Sequence, residues 1–345
     1  MRNLQMQLTA LRAWAVVLLC WALGNVALQA QEPVIIIYHP DALHPPVVGP
    51  QGVVPPHFSD AVPPQPAAPT EPPPDRPEPC PQPEALKFQD SLTSYTFLPA
   101  SGDKAFGVQT FASTDRWVDL WGNPAWRIAD SEFRCAIDYA LHWWEGPDSP
   151  DAPPRLYDLY LNLLWHRRWG SVFTTEVGLA PGLSGDFRVT PPDMFRMRGR
   201  GVAFLALLED LQLVGGVTYL DRNKVKALPV AGVLWQPDCN TMLRLVFPYP
   251  KAAYRIGSKW EWDYWLYVAG EYGGGAWDFK SDSGASDSVE YDDIRVMAGL
   301  ECQRFGLAAG LVEVGYVFAR RLRYQSFTPE FEPSNTLMLR VGWCY

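Results

Sequence analysis

The residues best placed to do chemistry are three arginines spaced two apart, Arg196, Arg198 and Arg200. In a β-strand that spacing puts all three guanidinium groups on one face. Like charges side by side repel, so acidic neighbours or an anionic ligand must offset them. Arg244, Arg295 and Arg340 occupy the polar parity of other alternating stretches, and so do Asp158, Glu176, Glu271, Glu301 and Glu313. On the inner face of a closed sheet, such charges line a lumen and set ion selectivity and solute contacts. In a narrow lumen they pair across the interior and fill it instead, because an isolated buried charge is costly. The sequence leaves both outcomes open, and the arginine ladder is the part that pairing explains least.

Other chemistry finds less support. Asp138 and His142 share a parity, but four strand residues hold them about 13 Å apart, too far for a hydrogen bond. No G-x-S-x-G or H-E-x-x-H occurs, so no catalytic residue is assigned and no enzymatic activity is expected. Gly273-Gly274-Gly275 follows a strand with no helix opening after it, which excludes a phosphate cradle and suggests bending at a sheet rim. Cys20, Cys80, Cys135, Cys239, Cys302 and Cys344 include no C-x-x-C spacing, so neither a metal site nor a cofactor is expected. With Cys20 in a leader, five cysteines remain; one bridge is compatible with an oxidising compartment, and its partners are undetermined. A net charge of −9 excludes nucleic acid as a partner.

The elements that hold these charges are strands. Asn335–Tyr345 alternates strictly: Leu337, Leu339, Val341, Trp343 and Tyr345 face one way, and Met338, Arg340, Gly342 and Cys344 the other. Trp343 and the terminal Tyr345 suit an interfacial anchor and an assembly signal for barrel-assembly machinery. Similar stretches run over 132–144, 156–165, 172–183, 195–208, 211–220, 227–235, 241–247, 262–272, 289–301 and 306–318. Weaker ones lie at 92–98, 105–113 and 252–256. Hydrophobic residues make up 48% of the 345-residue chain, with 15 Trp and 15 Tyr. Transmembrane barrels are not very apolar overall, because half of each strand faces water.

Residues 1–30 read as a signal peptide, since the apolar run Ala13–Leu23 is too short to span a bilayer as a helix. Residues 31–91 form a disordered, Pro-rich linker, and residues 92–345 form the barrel domain. The apolar runs, often of 9 to 11 residues, match a tilted membrane strand. Short connections near 168–170, 209–210 and 303–305 alternate with long polar ones near 145–154, 184–194, 275–288 and 321–334, as in an outer-membrane barrel. At roughly 20 residues per strand with its connection, the expectation is an all-β antiparallel transmembrane barrel of about 12 strands, within 10 to 14. Outer-membrane lipid is then the main partner, and porin-like passage of small solutes the leading function. A closed anchoring barrel and a soluble secreted β-sandwich that binds a ligand are the alternatives.

Gly215-Gly216-Val217-Thr218-Tyr219-Leu220-Asp221-Arg222, Leu228-Pro229-Val230-Ala231-Gly232 and Leu245-Val246-Phe247-Pro248 are followed by Ala269-Gly270-Glu271-Tyr272-Gly273-Gly274-Gly275 and Glu313-Val314-Gly315-Tyr316-Val317-Phe318. Together these motifs, over residues 150–345, resemble a bacterial domain-of-unknown-function family of outer-membrane-like β-barrels. The resemblance implies architecture and location and supplies no catalytic residues.

Overall fold

A computed structural model describes residues 92–345, apart from 117–125, 129–130, 148–151, 261, 305–306, 327–329 and 345. The signal peptide, the linker and Tyr345 therefore lie outside the described residues. What is described contains fifteen strands and no helix.

The first strands are β1 (Leu92–Leu98), β2 (Gly107–Arg116), the short β3 (Trp126–Ile128) and β4 (Ser131–Glu145). Then come β5 (Arg155–Arg168), β6 (Phe173–Gly185), β7 (Phe195–Ala206), β8 (Leu211–Tyr219) and β9 (Ala227–Asp238). The rest are β10 (Thr241–Phe247), β11 (Lys251–Lys259), β12 (Trp262–Lys280), β13 (Ser286–Arg304), β14 (Leu307–Tyr324) and β15 (Thr336–Cys344). From β4 onward each strand pairs antiparallel with the next, β15 pairs with β1, and β1 with β2. The ring closes where β2 pairs with β4, from Gly107↔Glu145 to Arg116↔Ala136. The result is a closed 14-strand antiparallel barrel, with β3 continuing the row of β2 along the lower part of β4.

Closure leaves an unpaired edge among the described strands only at the short β3, and it excludes the β-sandwich alternative. The strand number exceeds the central expectation of about 12 and stays within its range, because tight turns flank the short β10 and β11. The marginal 252–256 stretch is a full strand, whereas β3 had no alternating signal to reveal it.

Both Leu92 and Cys344 lie at one rim, where they pair directly. At this terminal rim the connections 169–172, 207–210, 239–240, 260–261 and 305–306 are short, and only the β2–β4 link that carries β3 is long. The opposite loop rim carries the longer 99–106, 146–154, 186–194, 220–226 and 325–335.

Burial follows the two-residue period of a strand that separates two environments. On β14, Val312, Val314 and Tyr316 are exposed outward, Val314 at 58%, while Glu313 and Val317 are buried inward. Leu159, Leu163, Leu179, Val217, Leu245, Leu266, Val268, Ile294, Val296 and Leu300 continue the exposed aliphatic band along the wall from β5 to β13. Exposed Phe133, Trp169, Trp235 and Trp262 border it at the terminal rim, and Trp143, Phe195, Tyr219 and Phe247 at the loop rim.

Candidate functional site

The charged residues of the polar parity all face inward, and most are paired. On one wall, Arg340 of β15 bonds Glu271 of β12 at 2.9 Å and Glu313 of β14 at 3.0 Å. Arg295 of β13 bonds Glu271 at 3.1 Å and Asp293 at 2.8 Å. Tyr267 donates its hydroxyl to Glu313 at 2.6 Å, and Thr96 accepts from Arg340 at 2.9 Å. Five strands are thereby tied together inside the lumen, with carboxylates and guanidiniums alternating so that none of these charges is buried alone.

On the facing wall, the arginine ladder of β7 meets a matching acidic set. Arg196 bonds Asp278 at 2.5 Å, Arg198 lies 3.9 Å from Asp158, and Arg200 lies 2.8 Å from Glu176. The Arg198 guanidinium also stacks on Tyr160, 3.8 Å from its ring centre. The mutual repulsion of the ladder is thus offset by acidic neighbours. Glu301 takes Lys251 and Gln303 as partners, whereas Arg244 has no carboxylate within ion-pair distance among the described residues.

Above these charges, the loop rim is closed by the chain itself. The sequence marked 275–288 as a long polar loop; instead β12 and β13 run on as a paired hairpin with residues 281–285 as its tip. Past Gly273 and Asp293 the alternation stops, and Ser288 through Asp293 are all buried. Continuous burial means that both faces of the hairpin are covered, so this part has left the wall and folded into the mouth.

Gly273-Gly274-Gly275 makes that turn possible. Gly274 has φ +93°, and a Cβ there would overlap the Tyr291 carbonyl oxygen; a Cβ on Gly273 would overlap the Asp293 carboxylate. A register shift in the β13–β14 ladder between Asp292 and Ile294 marks the same bend.

The flap lands on the far wall. Asp186 N donates to Asp278 O at 3.1 Å, Arg188 Nη2 to Lys280 O at 2.8 Å, and Ser184 Oγ to Ala276 O at 2.9 Å. The 220–226 loop adds Arg222 on Asp292 at 2.6 Å and the Lys224 amide on Glu290 at 2.6 Å. Beneath these latches, Trp277, Phe279, Val289 and Tyr291 pack with Leu98, Phe106, Trp144, Leu156 and Leu322 as an apolar plug. Trp277 stands edge-on to Trp144 at 5.3 Å, and Tyr291 to Phe106 at 5.4 Å.

His142 sits below the plug. Its Nδ1 is 3.0 Å from Thr110 Oγ1 and its Nε2 is 3.1 Å from Asp158 Oδ2. Asp138, its sequence neighbour of like parity, instead accepts from Thr114 at 2.6 Å and from Asn162. A hydroxyl, an imidazole and a carboxylate in that order can serve as nucleophile, base and orienter. Here Thr110 is 1% exposed and Trp277 packs 5.0 Å from the imidazole, so no substrate carbonyl reaches the hydroxyl. The chain holds the landing site of the flap.

Cys239 takes part in a disulfide, while Cys135 and Cys302 are free thiols. Trp343 pairs with Gly310 and Thr93 at the terminal rim. Among the described residues, no cluster of His, Cys, Asp and Glu could hold a metal ion.

Sequence reasoning missed the ligands of the ladder and the folded-in hairpin. The available signal was the run Ala276-Trp277-Asp278-Phe279, whose strand character conflicts with a loop at 275–288. No protein-family model and no curated protein matches the chain.

Proposed function

We propose that the chain is an outer-membrane β-barrel that passes small solutes through a lumen gated at the loop rim. The observation that carries the membrane reading is the exposed aliphatic band between two rings of aromatic side chains. Exposed Leu, Val and Ile along the wall from β5 to β14 are costly in water and favourable in hydrocarbon, while Trp and Tyr suit the interfaces. Among the described residues no helix is long and apolar enough to cross a membrane, so crossing falls to the strands. The terminal rim, with its short turns, then faces the periplasm and the loop rim faces outward.

Two features support gated passage. The lumen is lined by charged side chains rather than by a continuous apolar core. The flap is latched through hydrogen bonds and ion pairs that water can replace. A second reading, a sealed barrel that anchors its N-terminal extension, draws on the apolar plug around Trp277 and on the extensive internal pairing. Neither reading assigns a catalytic role.

Conductance in a planar bilayer separates the two. Combined Arg188→Ser and Arg196→Ser removes latches at the landing site, and the gated reading expects the open fraction to rise several-fold. Silence from both the wild type and this variant, with both running as heat-modifiable folded barrels on gels, leaves the sealed barrel as the answer.

A further inference from the structure

Charge pairing inside the barrel is nearly complete, and its exception is informative. Arg196, Arg198, Arg200, Arg222, Arg295, Arg323 and Arg340 each have a carboxylate within ion-pair distance. Arg320 donates instead to Tyr291 Oη at 2.9 Å and to the carbonyls of Phe106 and Ser334, each at 2.8 Å. Arg244, on the inner face of β10, has neither kind of partner among the described residues, and its Nε is buried without an acceptor there.

The surroundings sharpen the imbalance. Arg244 is the cross-strand partner of Lys251, so two cations stand side by side on the β10–β11 wall. The carboxylate whose charge reaches both is Glu301, and it is already held by Lys251 Nζ and by Gln303 Nε2 at 2.6 Å. One positive charge is left over. Trp265, the cross-strand partner of Glu301, is 5% exposed and adds a second buried donor without an acceptor, its Nε1. Trp265 packs with Ala253, Tyr267 and Met242, and Met242 is the next inward residue below Arg244. The indoles of Trp144 and Trp277 also lack an acceptor, but the guanidiniums of Arg196, Arg198, Arg200, Arg222, Arg295, Arg323 and Arg340 each have a carboxylate in ion-pair distance, whereas here two cations share one; a buried guanidinium without its own counter-charge is costly.

We propose that Arg244, with Lys251 beside it and the Trp265 indole on the same wall, binds a small oxyanion, a carboxylate or a phosphate. A guanidinium offers the planar, two-pronged donor geometry that either group accepts. The inference deepens the passage reading by naming the solute class and the residue that selects it. It also moves the selective element away from Arg196, Arg198 and Arg200, whose charges the protein itself neutralises.

The test needs no bilayer. The full chain, refolded in detergent and checked by heat-modifiable mobility, is titrated with inorganic phosphate or with acetate at constant ionic strength, chloride being replaced. Intrinsic tryptophan fluorescence and calorimetry follow binding. A saturable response is expected, with affinity at least tenfold weaker in Arg244→Gln, retained in part in Arg244→Lys, and unchanged in the exposed control Arg321→Gln. Which anion binds more tightly identifies the phosphate or the carboxylate class. The proposal is overturned if neither anion gives a saturable response, or if Arg244→Gln binds like the wild type. A protein that binds the anion but never conducts would keep this site and lose the channel.

Discussion

The hairpin of β12 and β13 spans two environments. Below Gly273, the two strands belong to the wall: Leu266 and Val268 are exposed outward while Trp265 and Tyr267 are buried inward. Above it, the same strands lie inside the mouth, and Ala276, Trp277, Val289 and Tyr291 are buried regardless of parity. The backbone ladder is continuous through both halves, from Trp262↔Arg304 to Lys280↔Ser286. What changes is the medium on each side. The wall segment has an apolar outer face and a largely polar inner one. The flap needs apolar side chains on whichever face meets the plug and polar ones where it touches the rim.

The contrast can be broken first at the plug. Trp277→Ala removes a large buried side chain, a change that costs about 3–5 kcal/mol in a packed core. We expect that loss to fall on the flap: protease should cut within 281–285 many-fold faster while the barrel keeps its folded gel mobility. Loss of the folded band as well would show that flap and wall form one cooperative unit.

The wall is tested by a charge on its outer face. Val268→Arg, at a position 59% exposed, should cost about 2–4 kcal/mol in lipid vesicles if it sits near the bilayer midplane. Urea unfolding of the vesicle-embedded barrel measures it. An unchanged midpoint would mean that this face does not meet hydrocarbon, and the membrane reading would fail with it.

The smallest effect is expected at the junction. Gly274→Ala forces a Cβ into the left-handed region, at about 1–2 kcal/mol, and against the Tyr291 carbonyl. The bend should loosen, so amide hydrogen exchange should rise in 274–280 and 286–292 and stay constant in β5 and β15. Exchange that rises equally in β15 would remove the distinction between the two halves.

How far the sequence could be read depends on the half. In the wall, parity assigned the outward Leu159, Leu163, Val312 and Val314 and the inward Asp158, Glu176 and Glu313, because each decision needs only neighbours two residues away. The same signal found β11 weakly and β3 not at all, since three residues cannot establish a period. In the flap, Gly, Ser and Asp between 281 and 288 looked like a loop, although most of the flanking residues are strand. The bend at the three glycines was legible; its direction, into the lumen, was not.

Amino-acid order alone settled that the chain alternates, which face of each strand is apolar, and that a charged surface would line whatever the sheet enclosed. Those are local properties of a two-residue repeat. Only the closed barrel decided that Arg196 meets Asp278, that His142 meets Asp158, and that Arg244 has no carboxylate within ion-pair distance among the described residues. Such pairings join residues far apart in the chain, and they depend on curvature and closure, which bring particular inward positions within about 3 Å of one another or leave them without a partner.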